Sequence, residues 1–96
     1  MSPLNKKKLN LLRLKLDKLD GELLKLIKKR SNLVNEVLKV KIQKKEIIDQ
    51  KRIDFILKKI RKKSIHFKID PKITNRIWKN MIWSFIDYEK RNFKNK

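Results

Sequence analysis

Arg30 and Lys41 stand eleven residues apart in a stretch built largely of leucine, valine and lysine. Eleven helical steps return to within about 20° of the same face, so one helix would present both cations together. Both interrupt an apolar register, where a cation is costly unless an anion meets it. A snorkelling side chain or an internal salt bridge would satisfy them as well. Arg13 interrupts the same register nearer the N-terminus. Along a straight helix it lies about 26 Å from Arg30, too far for the two to grip one small ligand within one subunit. If both serve one site, Arg13 comes from another chain. Asp49 and Arg52 follow at i,i+3, the spacing of a surface ion pair. Such a set can hold a compact anion. It cannot do thiol chemistry, because cysteine is absent, and a single histidine leaves no His-based metal cluster.

The overall charge must be discounted before it is read as function. The chain has 96 residues and a formal charge of +19, which would ordinarily point to nucleic acid or an anionic membrane surface. Its cations, however, are 23 Lys and only 6 Arg, and Lys, Ile and Asn together make up 44 of the 96 residues. All three have AT-rich codons, while alanine is absent and glycine occurs once. A biased genome therefore accounts for much of the lysine, and the six arginines stand out as retained against that bias. Hydrophobic residues at 40% exceed what a charge-rich disordered segment carries. No apolar run approaches the roughly 20 residues of a membrane helix, and the basic Met1–Lys8 segment leads into no charge-free apolar stretch. A soluble, cytosolic chain is expected, with no membrane partner.

The elements that must position these residues are helical. With one Gly and two Pro, strands and tight turns have little support. Leu9, Leu12, Leu16, Leu19, Leu23, Leu26/Ile27, Leu33/Val34, Val37 and Val40 recur in steps of three and four, predicting one helix from about Asn5 to Gln43. Gly21 inside it costs about 1 kcal/mol against Ala, too little to break it. Asp17, Asp20 and Glu22 alternate with Lys on the outer face and support the helix. Lys44–Glu46 interrupts the pattern, and Asp49 can cap a second helix running through Ile53, Ile56, Leu57 and Ile60 to about His66. Asp70 and Pro71 then read as N-cap and first residue of a third helix, carrying Trp78 and Trp83, to about Asn92. A single all-α domain over 1–96 is expected, with its core at about 9–89 and frayed basic termini. A first helix of about 58 Å is roughly twice the diameter of a 96-residue globule. Two shorter helices cannot cover its apolar stripe, so a second copy is expected.

Taken in order, these residues resemble the all-helical chorismate mutases. The run Leu12–Arg30, LRLKLDKLDGELLKLIKKR, is similar to the family's opening, and the likeness continues through Glu36-Val37, Lys39-x-Lys41, Asp49 with Arg52, Ile69-Asp70 and Ile77-Trp78. It covers about Leu9 to Glu89. The resemblance implies an intertwined homodimer that rearranges chorismate to prephenate, on the route to Phe and Tyr, with no cofactor and no metal. That rearrangement is intramolecular. It needs a dianion held in a compact conformer and positive charge at the breaking ether oxygen. Arginine forks suit the two carboxylates.

By the resemblance, Arg30 holds one carboxylate and Arg13, from the other subunit, helps hold the second. Lys41 donates to the ether oxygen and a carboxylate. Asp49 meets the ring hydroxyl, and Arg52 supports that loop and the substrate's charge. Anchoring on Ile77-Trp78 places Phe85 where the family has a substrate-contacting Ser, and Glu89 where it has a Gln donating to the ether oxygen. Glu89 can donate only when protonated, which burial would favour. An alternative register matches Ser84 and Tyr88 instead, and an exposed Glu89 in a frayed last turn is the bland reading. Ile53 stands where bacterial members usually have Glu. That aliphatic residue and the aromatic-rich Met81–Phe93 also resemble the isochorismate pyruvate lyases of the same fold, whereas Asp49 and the lack of a Pro-rich loop before Arg52 fit the mutase better. A third reading, a basic helical nucleic-acid binder using Trp78, Trp83 and Phe93, lacks a concentrated basic stripe and a Gly-turned helix-turn-helix.

Overall fold

The computed structural model describes residues 1–94. The described residues are all-α: α1 (Pro3–Val40), a 3₁₀ turn (Lys44–Ile47), α2 (Gln50–His66) and α3 (Pro71–Asn92). The chain falls into two units, 1–33 and 34–96.

In unit 1–33, α1 starts two residues before the position expected from periodicity. Ser2 caps it, its side chain accepting from the Asn5 N–H at 3.1 Å and its carbonyl from the Lys6 N–H at 2.9 Å. Pro3 occupies the first helical position, where its missing N–H is harmless. The Ser-Pro start is the same signal as Asp70-Pro71. Gly21 lies within the helix, with no neighbouring atom within 4 Å of where a Cβ would sit. No residue of α1 is buried, and apart from the half-buried Leu9 the leucines of this unit stand open, from Leu12 at 47% exposure to Leu4 at 77%.

Unit 34–96 carries the core. α1 ends at Val40 rather than Gln43. The chain leaves the helix because Gln43 is engaged locally: its N–H donates to Glu46 Oε1 at 2.8 Å, and its carbonyl accepts from the Glu46 N–H at 3.0 Å. This closes the 3₁₀ turn and delivers Ile47 to the core, 3% exposed. Asp49 caps α2 by accepting from the Arg52 N–H at 3.0 Å. Asp70 caps α3 by accepting from the Lys72 N–H at 2.9 Å, with Pro71 at the first position.

Between α2 and α3 the chain reverses through Phe67–Ile69. The Ile69 N–H bonds the Ser64 carbonyl at 2.8 Å and the Lys68 N–H the Ile65 carbonyl at 3.1 Å. This is a Schellman ending, and it puts Lys68 in the left-handed region with φ 58°. α2 and α3 then pack through Ile53, Ile82 and Ile86, joined by Ile47, with Leu38, Ile56, Leu57 and Phe93 against them. Near the reversal, Ser64 and Thr74 are both buried with their hydroxyl oxygens 2.6 Å apart. Ser64 also reaches the Ile60 carbonyl at 2.6 Å and Thr74 the Pro71 carbonyl at 3.4 Å, so each hydroxyl has an acceptor beyond the other. A buried hydroxyl left without a partner would cost about 1–3 kcal/mol, and this pair leaves none. No helix among the described residues is long and apolar enough to cross a membrane.

Candidate active site

Two residues singled out in the sequence meet inside unit 34–96. Lys41, one residue beyond α1, donates from Nζ to Glu89 Oε2 at 2.7 Å. The two side chains are 16% and 9% exposed. Each is placed by its element. Lys41 follows the last carbonyls of α1, the negative end of the helix, where a cation is favoured. Glu89 lies on the α3 stripe Ile82–Ile86–Glu89–Phe93, so the periodicity that buries the isoleucines buries it too. A carboxylate in the last turn opposes the helix dipole, and the Lys41 ammonium offsets that. Losing either partner would leave a charge short of water, at a cost of roughly 3–5 kcal/mol for a fully buried pair. Glu89 is thus a buried, paired group rather than part of an exposed, frayed last turn.

The neighbouring residues sort differently. Tyr88 donates from its hydroxyl to Asn35 Oδ1 at 2.9 Å, and Ser84 donates to the Asn80 carbonyl of its own helix at 2.7 Å. Phe85 is half-buried. In the register that pairs Ser84 with Tyr88, both hydroxyls are engaged elsewhere, while in the other register Glu89 meets Lys41. Ile53 is a core residue at 6% exposure. An aliphatic side chain there fills the core, and a glutamate would be buried among isoleucines.

Asp49 and Arg52 are joined through the cap rather than through an ion pair of side chains. The Arg52 guanidinium lies over the exposed Phe55 ring, 5.4 Å from its centroid. Lys59 approaches the same ring at 5.8 Å. Arg13 and Arg30 lie in the other unit. Arg13 is exposed and Arg30 is half-buried. Both sit on continuous α1, which holds them about 26 Å apart along its axis.

A shallow surface concavity of about 820 Å³ runs along the start of α3, lined by Lys72, Ile73, Arg76, Ile77, Lys79 and Asn80 among others. Its lining comes from a single helix and includes none of Arg13, Arg30, Lys41, Asp49, Arg52, Phe85 and Glu89. The Lys41–Glu89 pair is the better candidate, because it is buried and charged. One of the three Lys41 N–H groups is spent on Glu89, and two remain for an incoming anion.

A family model described as chorismate mutase type II matches residues 12–90. The chain belongs to the type II chorismate mutase family. The match takes in every candidate residue named above, from Arg13 to Glu89. No curated protein and no solved structure gives a significant match. Sequence reasoning about this chorismate mutase family member missed Asn35 altogether. Its only signal was that Ser31, Val34, Asn35, Leu38 and Lys41 share the spacing of one half-buried face.

Proposed function

We propose that this chain is a chorismate mutase that rearranges chorismate to prephenate. The observation that carries the reading is the buried Lys41–Glu89 pair, lying within the family-matching segment. The reaction makes and breaks bonds within one molecule, so catalysis reduces to holding the dianion compactly and stabilising negative charge at the breaking ether oxygen. Arg30 takes one carboxylate in a bidentate fork. Lys41 turns its two remaining N–H groups to the ether oxygen and a carboxylate. Glu89 holds the Lys41 ammonium in place beside the ether oxygen. Phe85 lines the ring, while Asp49 receives the ring hydroxyl beside Arg52.

The second carboxylate falls to Arg13 of a second copy, since one rigid helix keeps Arg13 and Arg30 far apart. The open leucines of residues 1–33 support such a homodimer. They form an apolar surface that water disfavours and a second identical helix would cover. The enzyme would act without a cofactor, in the cytoplasm.

The test is purified protein with chorismate, following the loss of its ultraviolet absorbance and identifying the product. Prephenate formation that disappears in Arg30→Ala is the expected result. Ile53, aliphatic after Arg52, favours a second reading as an isochorismate pyruvate lyase. Pyruvate and salicylate from isochorismate alone would move the assignment there. Turnover of neither substrate by folded protein would overturn both. Lys41→Ala should lower kcat by about 10²–10³-fold, the usual effect of removing one donor to a developing oxyanion. Glu89→Gln keeps a polar side chain that can hydrogen-bond the ether oxygen, and it should retain more activity than Glu89→Ala. Equal losses in the two variants would remove Glu89 from the site.

A further inference from the structure

Lys41 sits just outside α1, so its aim depends on how the end of that helix is held. The ion pair to Glu89 cannot do this alone, because a lysine side chain is a flexible four-carbon stem. Leu38 rests against the isoleucine core, but one apolar side chain leaves a helix free to turn about its contact point. A second, directional tie lies one turn earlier. Asn35 accepts from the Tyr88 hydroxyl at 2.9 Å, and Tyr88 directly precedes Glu89 on α3. Both ends of this bond are half-buried.

We propose that the Tyr88–Asn35 hydrogen bond is a clasp that positions Lys41 for catalysis, which makes Tyr88 and Asn35 positioning residues. From Asn35 to Val40 the backbone is a single helix, stiff over little more than a turn, so anchoring Asn35 fixes both the rotation and the rise of the helix end. The two ties bracket Leu38 and join the same two adjacent residues of α3. A displacement of about 1 Å at a charged donor can cost as much as 10²-fold in rate. The clasp acts through geometry alone, since Tyr88 and Asn35 are both neutral and neither is assigned to the substrate. The rate effect rests on the mutase reading above, but the geometry does not.

The test compares Tyr88→Phe, Asn35→Leu, their double variant and Asn35→Asp. Tyr88→Phe deletes one oxygen and keeps the ring, so folding should survive. It should lower kcat by about 5–30-fold with KM nearly unchanged, and Asn35→Leu should do the same. The double variant should be no worse than either single one, because both remove one bond. Asn35→Asp keeps the acceptor and should retain the wild-type rate. A direct readout is the rate at which an amine-reactive reagent labels Lys41, measured by peptide mass spectrometry against the exposed lysines. It should rise in Tyr88→Phe and Asn35→Leu but not in Asn35→Asp. Wild-type kcat and unchanged Lys41 labelling in Tyr88→Phe would overturn the clasp, as would equal losses in Asn35→Asp and Asn35→Leu. Should the wild-type protein turn over no substrate, the mutase reading fails, and the labelling pattern decides the clasp without it.

Discussion

Residues 34–94 and residues 1–33 are both helical, yet they are stabilised by different things. In the former, four isoleucines are 3–7% exposed and the polar groups among them are paired. In the latter nothing is buried, and leucines such as Leu14, Leu24 and Leu33 are about two-thirds open. Residues 34–94 carry their own core. Residues 1–33 have helix propensity, a Ser2 cap and an apolar stripe without a cover, and an uncovered helix is marginal in water. The difference separates the chemistry as well. The Lys41–Glu89 pair belongs to the part with a core, whereas Arg13 and Arg30 belong to the part whose leucines lie open.

The largest expected effect tests that division. Arg13→Ala and Arg30→Ala should each be nearly inactive as a pure protein. Mixed in equal amounts and allowed to exchange subunits, they should regain about a quarter of wild-type activity, because half the dimers are mixed and each mixed dimer has one intact site. Demonstrated exchange with no recovery would show that each subunit completes its own site.

A smaller effect tests the stability half. Ile82→Ala opens a cavity in the core of residues 34–94 and should lower unfolding free energy by roughly 2–5 kcal/mol at any protein concentration. Leu19→Ala removes a side chain already 54% exposed. It should matter little in dilute protein, and should act by weakening self-association, seen in sedimentation or light scattering as a dimer dissociating at higher concentration. Equal, concentration-independent losses in both variants would mean that residues 1–33 are stabilised without a second copy.

What could be read from the sequence divides along similar lines. Asp49 and Asp70-Pro71 declared their helix starts, because a cap is a local interaction whose donors lie two or three residues away. Ser2-Pro3 carries the same signal two residues before the start that periodicity predicts. α1 ends before the Gln43 expected from periodicity because the interaction that competes with the helix, the bond between Gln43 and Glu46, leaves no mark on the apolar spacing. The burial of Glu89 was legible in principle, since it occupies an apolar stripe position between Ile86 and Phe93. Its partner was not, because meeting Lys41 depends on how α3 returns over 48 residues of chain. The Tyr88–Asn35 bond spans 53 residues and is a product of that same packing. Two neutral side chains so far apart carry no pattern to find.

The smallest expected effect lies in the turn between α2 and α3. Glycine is the usual residue at the left-handed position of a Schellman ending, and here Lys68 holds it at φ 58°. A side chain in that conformation crowds its own backbone, so the turn is set by its hydrogen bonds and by the packing of α2 on α3 rather than by Lys68. Lys68→Gly should therefore stabilise residues 34–94 by about 0.5–1 kcal/mol, because relief of the strain exceeds the extra entropy of glycine in the unfolded chain. The gain should appear as a small rise in Tm with kcat unaltered, since Lys68 touches none of the residues assigned to substrate. A fall in Tm would mean that the aliphatic part of Lys68 contributes packing worth more than the strain. The α2–α3 reversal would then depend on a surface side chain as well as on its core.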